Sequence, residues 1–528
     1  MKFVFRWQPD LRHAGALASG LLLAAAFPPL EWSGLAWLAL VPLLLAAREA
    51  APGRAFRLGW LAGFVFWLCS THWLIHVSMA GWIGLAAYCA LYPGWFVLAA
   101  AGGWTLGARA LPGRLLFPAL AALAWAGLEW LRGTLFTGFA WNPLGVSQYR
   151  NLPLIHIAAW GGVGAVSALV ALVNVALALT LQNYRAAWAA RTRASRTELM
   201  LALLLVALVW SCGVRALRAP PVPVTLLRVA LIQPNIPQDD KWTPETFGLI
   251  YNRLRTETRR ALAAGPLDLI VWPETALPDD VRTSTNSYAV VRDLVTNGAP
   301  IFLGSMDTEW RDQNQARYFN SSFLFDTQGR IAQTYDKRHL VIFGEYVPLQ
   351  GLLPFIALLT PIEASFTPGA ASTVFRLEQP PAAFAALICF EDTVAPLARE
   401  AVQRGARLLI NQSNDAWFDP SGASRQHMTH SVLRAVENSV PVLRSCNTGV
   451  SCCIDRFGQV YDVLADRDGR VAVTGFQTSV VAVPGDTMPL TFYTRHGDLL
   501  GPCGAGLAVG CLALAGVRAR RARKQRNL

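Results

Sequence analysis

The chain has 528 residues, 53% of them hydrophobic and only 15% charged, with 19 Trp and a formal net charge of +12. Soluble domains carry about 25% charged residues, so the composition excludes a purely soluble protein, and the apolar fraction excludes a disordered one. Residues 1–218 together with 498–528 hold 22 Lys/Arg against 6 Asp/Glu, a balance of +16, whereas residues 219–497 hold 24 against 28, a balance of −4. The basic surplus therefore lies wholly in the apolar parts, where it suits membrane flanks and not a nucleic-acid groove.

Apolar runs approaching about 20 residues are candidate membrane spans. They fall at 14–30, 32–47, 56–79, 82–108, 115–131, 154–181, 199–214 and 499–517, eight in all. The first follows Lys2, Arg6 and Arg12 like a signal peptide, but no small-residue cleavage site follows and a second apolar run begins at once. Flanks on one side, from Lys2 to the tail at 518–526, carry 18 Lys/Arg. The short loops opposite offer only Arg132 and Arg150, with Arg215 and Arg218 ahead of the polar insert. Basic loops face the cytoplasm, so both termini are predicted to be cytoplasmic and the insert extracytoplasmic. The expected organisation is a bundle of seven spans over 1–218, an α/β domain over 219–490, and an eighth span with a basic tail over 491–528.

Within the insert, β-rich runs occur at 225–232, 267–271, 301–304, 384–388, 408–411, 440–444 and 471–473. Helical patterns occupy 246–263 and 425–438. Turn chemistry in Asp326-Thr-Gln-Gly329 predicts a hairpin over 322–335, and Asp455-Arg-Phe-Gly458 repeats the form. Alternating strands and helices with hairpins imply a mixed sheet layered with helices. The apolar stretch 349–360, broken by Pro354, is too short to span; it suits either a buried segment or a loop in the bilayer interface.

Cys389 ends an apolar strand, at the position where open α/β sheets place their ligands. A thiol needs a base or cation nearby to become a nucleophile. Glu274, in Val271-Trp-Pro-Glu274-Thr, and Lys337, in Tyr335-Asp-Lys337-Arg, follow two other strands. A carboxylate that takes the thiol proton and an ammonium that stabilises an oxyanion make acyl-transfer machinery. Taken singly, each is ordinarily a solvated charge or a core thiol. Cys446, Cys452 and Cys453 read as strand fillers. His72 and His76, one helical turn apart, could hold a metal, and more simply form a hydrogen-bonded interfacial pair.

Together and in this order, the segments around Glu274, Tyr335-Asp-Lys337-Arg-His-Leu-Val-Ile-Phe343-Gly-Glu345 and Ile388-Cys389-Phe390-Glu391 resemble the nitrilase superfamily. So does Asn414-Asp-Ala-Trp417-Phe after the next strand. Glu129-Trp-Leu-Arg132, Gln233-Pro-Asn-Ile-Pro-Gln238 with Lys241-Trp242, and Arg444-Ser-Cys-Asn447-Thr-Gly449 are similar to the membrane-embedded branch, the apolipoprotein N-acyltransferases. Phe390, where that branch more often carries Tyr, and Cys446, where it carries a small polar residue, depart from the pattern.

The resemblance implies eight transmembrane helices and an extracytoplasmic αββα sandwich, with no cofactor and no metal. It makes Glu274 the base, Lys337 the oxyanion stabiliser and Cys389 the nucleophile, with Glu345 and Glu391 in support. Trp242, Phe343, Phe390, Asn414, Trp417, Arg444 and Asn447 are the candidate substrate-binding residues. The implied reaction carries an acyl chain from a phospholipid, phosphatidylethanolamine being the expected donor, through a thioester to the diacylglyceryl cysteine of an apolipoprotein at the bacterial inner membrane. The rivals are a membrane-tethered amidase or nitrilase that hydrolyses its thioester, and a transporter or scaffold with a degenerate domain.

Overall fold

In the computed structural model, which describes residues 11–107, 111–193, 195–219, 222–296, 298–312, 315–347, 365–418 and 421–526, the chain divides into two units. One is Met1–Arg218 with Asp498–Leu528, the other Ala219–Gly497. The stretch 349–360 lies outside the described residues.

The first unit is helical: α1 (Leu11–Ala25), α2 (Val41–Ala47), α3 (Pro52–Ser70), α4 (Met79–Cys89), α5 (Leu91–Gly107), α6 (Leu111–Arg132), α7 (Leu152–Ile155), α8 (Ala158–Ala190) and α9 (Thr197–Leu217), closed by the helix Leu500–Arg526. Among the described residues, four helical stretches are long and apolar enough to cross a membrane: Met79–Ala101, Pro112–Arg132, Ala158–Ala190 and Thr197–Leu217. Leu11–Ala25, Ser33–Ala47 and Leu500–Leu514 are shorter apolar helices.

Two expected spans are interrupted. Over 32–47 the chain forms a 3₁₀ turn, Ser33–Trp37, before α2. Asn174 of α8 serves that irregular backbone, donating to Ala36 O at 2.8 Å and accepting from Leu40 N at 2.9 Å. Non-helical backbone survives in an apolar bundle only where such partners exist. After α3, His72–His76 is also a 3₁₀ turn. At three residues per turn it places the two histidines on different faces. His72 Nδ1 instead lies 3.0 Å from Cys69 O, and among the described residues no group of three or more His, Cys, Asp or Glu could hold a metal. Small residues let the C-terminal helix approach α6 closely: a Cβ on Gly127 would lie 2.0 Å from the Gly504 carbonyl carbon.

The second unit contains two six-stranded sheets. The first has the order β12-β1-β2-β3-β4-β5 and is built from β1 (Val224–Gln233), β2 (Leu269–Val271), β3 (Ile301–Asp312), β4 (Gln315–Phe325), β5 (Ile331–Asp336) and β12 (Gly475–Pro484). The second runs β11-β10-β9-β8-β7-β6, from β6 (Phe375–Leu377), β7 (Ala382–Ile388), β8 (Leu408–Ser413), β9 (Val442–Cys446), β10 (Cys452–Ile454) and β11 (Val460–Tyr461). Alternation in β1 explains the layering. Leu227, Val229 and Leu231 face the second sheet, where Phe384, Leu408, Ile410 and Leu443 complete one core. Ala230 and Ile232 point the other way, onto α10 (Phe247–Ala264) and α11 (Thr285–Thr296). Each such buried Leu, Ile or Phe contributes about 1.5–3 kcal/mol. With α12 (Ala395–Gln403) and α13 (Ala423–Asn438) packed on the second sheet, the layers are α, β, β and α.

The expected strand at 471–473 does not form. Gln233 Nε2 donates to the carbonyls of Val471 and Val473, at 2.6 and 2.9 Å. The partner of β1 is β12, antiparallel along its whole length. A three-residue apolar run is outcompeted by a ten-residue ladder whose alternation matches the core. The short helix α14 (Phe492–His496) belongs to this unit: Thr491 Oγ1 donates to Glu437 O at 2.6 Å, and Arg399 donates to the carbonyls of Tyr493 and Thr494.

Candidate active site

Parallel pairing of β1 with β2 and of β7 with β8 and β9 directs their C-terminal ends to one side of each sheet. Glu274 follows β2, Cys389 follows β7, Asn414 follows β8 and Asn447 follows β9; Lys337 follows β5. Gln412 links the sheets beneath them. Its Nε2 donates to Trp272 O at 2.7 Å, and its Oε1 accepts from Ser322 Oγ at 2.5 Å.

The corner carrying Glu274 lies hard against β3, because position 304 is glycine: a Cβ there would sit 2.6 Å from Pro273 O and 2.8 Å from Glu274 Cα. Thr275, next in line, has φ +40°. Lys241 straps this corner, donating from Nζ to Thr275 Oγ1 at 2.7 Å and to Glu274 O at 3.2 Å. Burial pulls the Lys241 ammonium down to about 8, with the charge of Glu274 opposing.

Lys337 is 1% exposed and meets two carboxylates: Glu345 Oε1 at 2.7 Å and Glu274 Oε1 at 3.4 Å. Asn320 Nδ2 donates to both, at 3.2 and 2.8 Å, and Glu345 Oε2 accepts from Val341 N at 2.8 Å. Burial alone would lower the Lys337 ammonium; Glu345 and Glu274 outweigh it and hold it above the usual lysine value. It stays charged.

Cys389 begins a 3₁₀ turn, Cys389–Thr393, at φ +52°, a left-handed conformation that costs a non-glycine residue about 1 kcal/mol or more. Its carbonyl accepts from Asn411 Nδ2 at 2.9 Å and His427 Nε2 at 3.2 Å. Burial first, and then Glu274, push the thiol well above the usual cysteine value, with Lys337 opposing. The resting group is a protonated thiol within the field of Glu274 and Lys337.

Glu391 is fully buried and ties the cysteine turn to the lysine loop. It accepts from Ile388 N at 2.8 Å, Arg338 N at 2.8 Å, His339 N at 3.0 Å and Tyr335 OH at 3.0 Å.

The seven candidate binding residues divide by exposure. Trp242, Phe343 and Trp417 are exposed, and Phe390 is half-buried against the His339 ring. Asn414, Asn447 and Arg444 are buried in the framework. Asn414 donates to Gln238 Oε1 and accepts from Asn447 Nδ2. Asn447 clasps the backbone of Ile236 through both N–H and C=O. Arg444 bonds Asp392 Oδ2 at 2.7 Å. The site also draws on Asn320, His427 and Asp392, which no sequence motif marks, and on Lys241 and Asp415, which lie beside Trp242 and Asn414 in family-like runs.

The family model described as the apolipoprotein N-acyltransferase N-terminal domain matches residues 19–176, and the carbon-nitrogen hydrolase model matches residues 228–482. An apolipoprotein N-acyltransferase of Geobacter metallireducens is 39% identical over 525 residues, covering 95% of each chain. One of Gloeobacter violaceus is 32% identical over 533 residues, covering 97% of this chain and 96% of its own. Among solved structures, Saccharomyces cerevisiae Nit3, a member of branch 10 of the nitrilase superfamily, aligns at 19% identity over 50% of this chain and 92% of its own, with a TM-score of 0.37.

Proposed function

Since the chain belongs to the apolipoprotein N-acyltransferase family, we propose that it moves an acyl chain from a phospholipid to an apolipoprotein through a thioester on Cys389. The residue roles rest on one observation: a buried lysine held by two carboxylates, in the field of a cysteine on a left-handed turn.

Cys389 Sγ attacks the ester carbonyl as Glu274 takes the thiol proton. Lys337, kept cationic by Glu345, donates to the developing oxyanion. The glycerol oxygen leaves with the proton from Glu274, giving a lysophospholipid and an acyl-enzyme. The α-amino group of the acceptor, an S-diacylglyceryl cysteine, then attacks the thioester; Glu274 accepts its proton and returns it to the departing sulfur. Phosphatidylethanolamine is the proposed donor. Trp242, Phe343, Phe390 and Trp417 offer apolar surface for lipid tails. Asn414, Asn447 and Arg444 serve as framework.

Eight crossings place both termini in the cytoplasm and the catalytic unit on the periplasmic side of the bacterial inner membrane, a reading supported by the distribution of basic flanks. A periplasm-active reporter fused after Arg218 should be active and one after Arg526 silent; the reverse pattern refutes the topology. For the chemistry, intact-mass spectrometry after incubation with phospholipid should find one acyl chain on the protein and none on Cys389→Ala. An acylated Cys389→Ala protein refutes the mechanism.

A further inference from the structure

Behind the cysteine turn lies a second charged cluster, in which His427 of α13 stands between two carboxylates. Its Nδ1 is 2.9 Å from Asp415 Oδ1, in the turn after β8, and its Nε2 is 2.9 Å from Asp392 Oδ1, in the cysteine turn. The same Nε2 lies 3.2 Å from the Cys389 carbonyl oxygen. Neutral imidazole has one N–H and one lone pair. With carboxylate oxygens at hydrogen-bond distance from both nitrogens, a neutral ring would aim its lone pair at an anion. Only the doubly protonated ring satisfies both sides.

The neighbours agree with that count. Asp392 also accepts from Arg444 Nη1 at 2.7 Å and Ser431 Oγ at 2.5 Å. Asp415 accepts from Ser413 Oγ at 2.9 Å and has the Arg444 guanidinium at 3.7 Å. His430 and Arg434, also on α13, complete the surroundings; burial pulls His430 down to about 3, so it adds no charge, and Arg434 is paired with Glu437 at 2.7 Å. Two anions, Asp392 and Asp415, thus face two cations, His427 and Arg444, all of them buried.

We infer that His427 is a standing imidazolium that acts as a positioning residue for acyl transfer, clamping the strained turn of Cys389 to the Asp415 turn that follows β8. Through Nε2 it holds the carbonyl of the very residue whose φ is +52°, and through Nδ1 it fixes the segment between Asn414 and Trp417. Burial opposes its charge, but Asp392 and Asp415 prevail and raise it to about 9. Both carboxylates lie below their usual range. The clamp is therefore intact at neutral pH and opens as pH rises past about 9, when one nitrogen turns its lone pair on a carboxylate.

This inference rests on Cys389 being the nucleophile. The test uses the full-length protein in phospholipid bilayers, reading the acylation rate of Cys389 by intact mass between pH 6 and 10. His427→Gln should slow acylation about 10-fold or more at unchanged KM for phospholipid, since every member of the cluster is buried. Asp415→Asn can donate to Nδ1 and so accommodates neutral imidazole; it should keep a larger share of its own pH 7 rate at pH 10 than the parent keeps. Solid-state nitrogen spectra of histidine-labelled protein, assigned by difference with His427→Gln or, if that variant does not fold, by the displaced signal in Asp415→Asn, should show a cationic ring at pH 7. A neutral ring, a parent-like rate in His427→Gln, or an Asp415→Asn profile superimposable on the parent's overturns the clamp. Failure of the parent to acylate Cys389 refutes the acyl-transfer reading instead.

Discussion

Glu345→Gln keeps the shape of the side chain and deletes its charge, which makes it the sharpest probe of the lysine. The Lys337–Glu345 contact is 2.7 Å and the Lys337–Glu274 contact 3.4 Å. At an effective dielectric constant of about 20 these correspond to attractions of about 6 and about 5 kcal/mol. The first is lost in the variant. Even if relaxation and water recover two-thirds of it, about 2 kcal/mol remains, or about 1.5 pH units at 1.36 kcal/mol each. The sign is downward: an ammonium that loses a carboxylate gives up its proton more readily. The ammonium in Glu345→Gln should therefore release its proton at a pH lower by about 1.5, still above neutrality because the parent lies above the usual lysine value. What the variant loses at neutral pH is the group that aims the ammonium, and its acylation rate should fall by up to about 10²-fold, the scale of a misplaced oxyanion donor. Single-turnover acyl-enzyme formation at pH 7, followed by mass, reads the rate. A parent-like rate would refute the account of Glu345 as the group that holds Lys337 in place.

Gly304→Ala forces a Cβ to within 2.6 Å of Pro273 O and should displace the Glu274 corner, costing about 1–3 kcal/mol of stability and most of the acylation rate; a parent-like melting curve and rate would show that the corner is not pinned there. Glu391→Gln turns one of the two acceptor oxygens that tie the cysteine turn to the lysine loop into a donor facing backbone N–H groups and should destabilise the catalytic unit by about 1–3 kcal/mol, measured by thermal unfolding in detergent; no change would mean that the tie is idle. Lys241→Met tests a pH effect of definite sign. Because the folded-state value is depressed from 10.5 to about 8, the native state binds fewer protons than the unfolded chain between those values, and the parent gains about 3 kcal/mol of stability as pH rises through that window. The variant should lack that gain while losing acylation rate, and a parent-like rise in Lys241→Met would refute it.

What could be read in the sequence was set by the distance over which each feature is decided. β1, β2, the hairpin with Asp326 and Gly329 at its turn, and α10 and α13 carry their own periodicity or turn residues, and all of them form. The β3–β4 ladder runs out to Asp312 through Met306, Asp307, Thr308 and Glu309; a polar stretch like this pairs because its partner is adjacent, which no alternation announces. β12 was hidden for a related reason, since its choice over 471–473 depends on a partner some 250 positions away. At the site, Glu274, Lys337 and Cys389 stand at strand ends and Glu345 in the loop after Lys337, all with distinctive neighbours. Asn320, Asp392 and His427 lie on elements whose local pattern is ordinary, and even Asp415, inside the run that begins at Asn414, acquires its meaning only where tertiary folding sets it against His427. Arg444 shows the converse: an arginine in a suggestive motif whose guanidinium is consumed by Asp392.

The protonated resting thiol has a further consequence for how long such an enzyme lasts. Oxidants and stray electrophiles attack thiolates far faster than thiols. Cys389, held neutral by burial and by the charge of Glu274, presents little anionic sulfur between turnovers. In the proposed reaction, reactivity is called up only when an acyl carbonyl meets Lys337 and the proton can pass to Glu274. On this reading the protein stores its nucleophile in a chemically quiet form, exchanging some idle reactivity for durability.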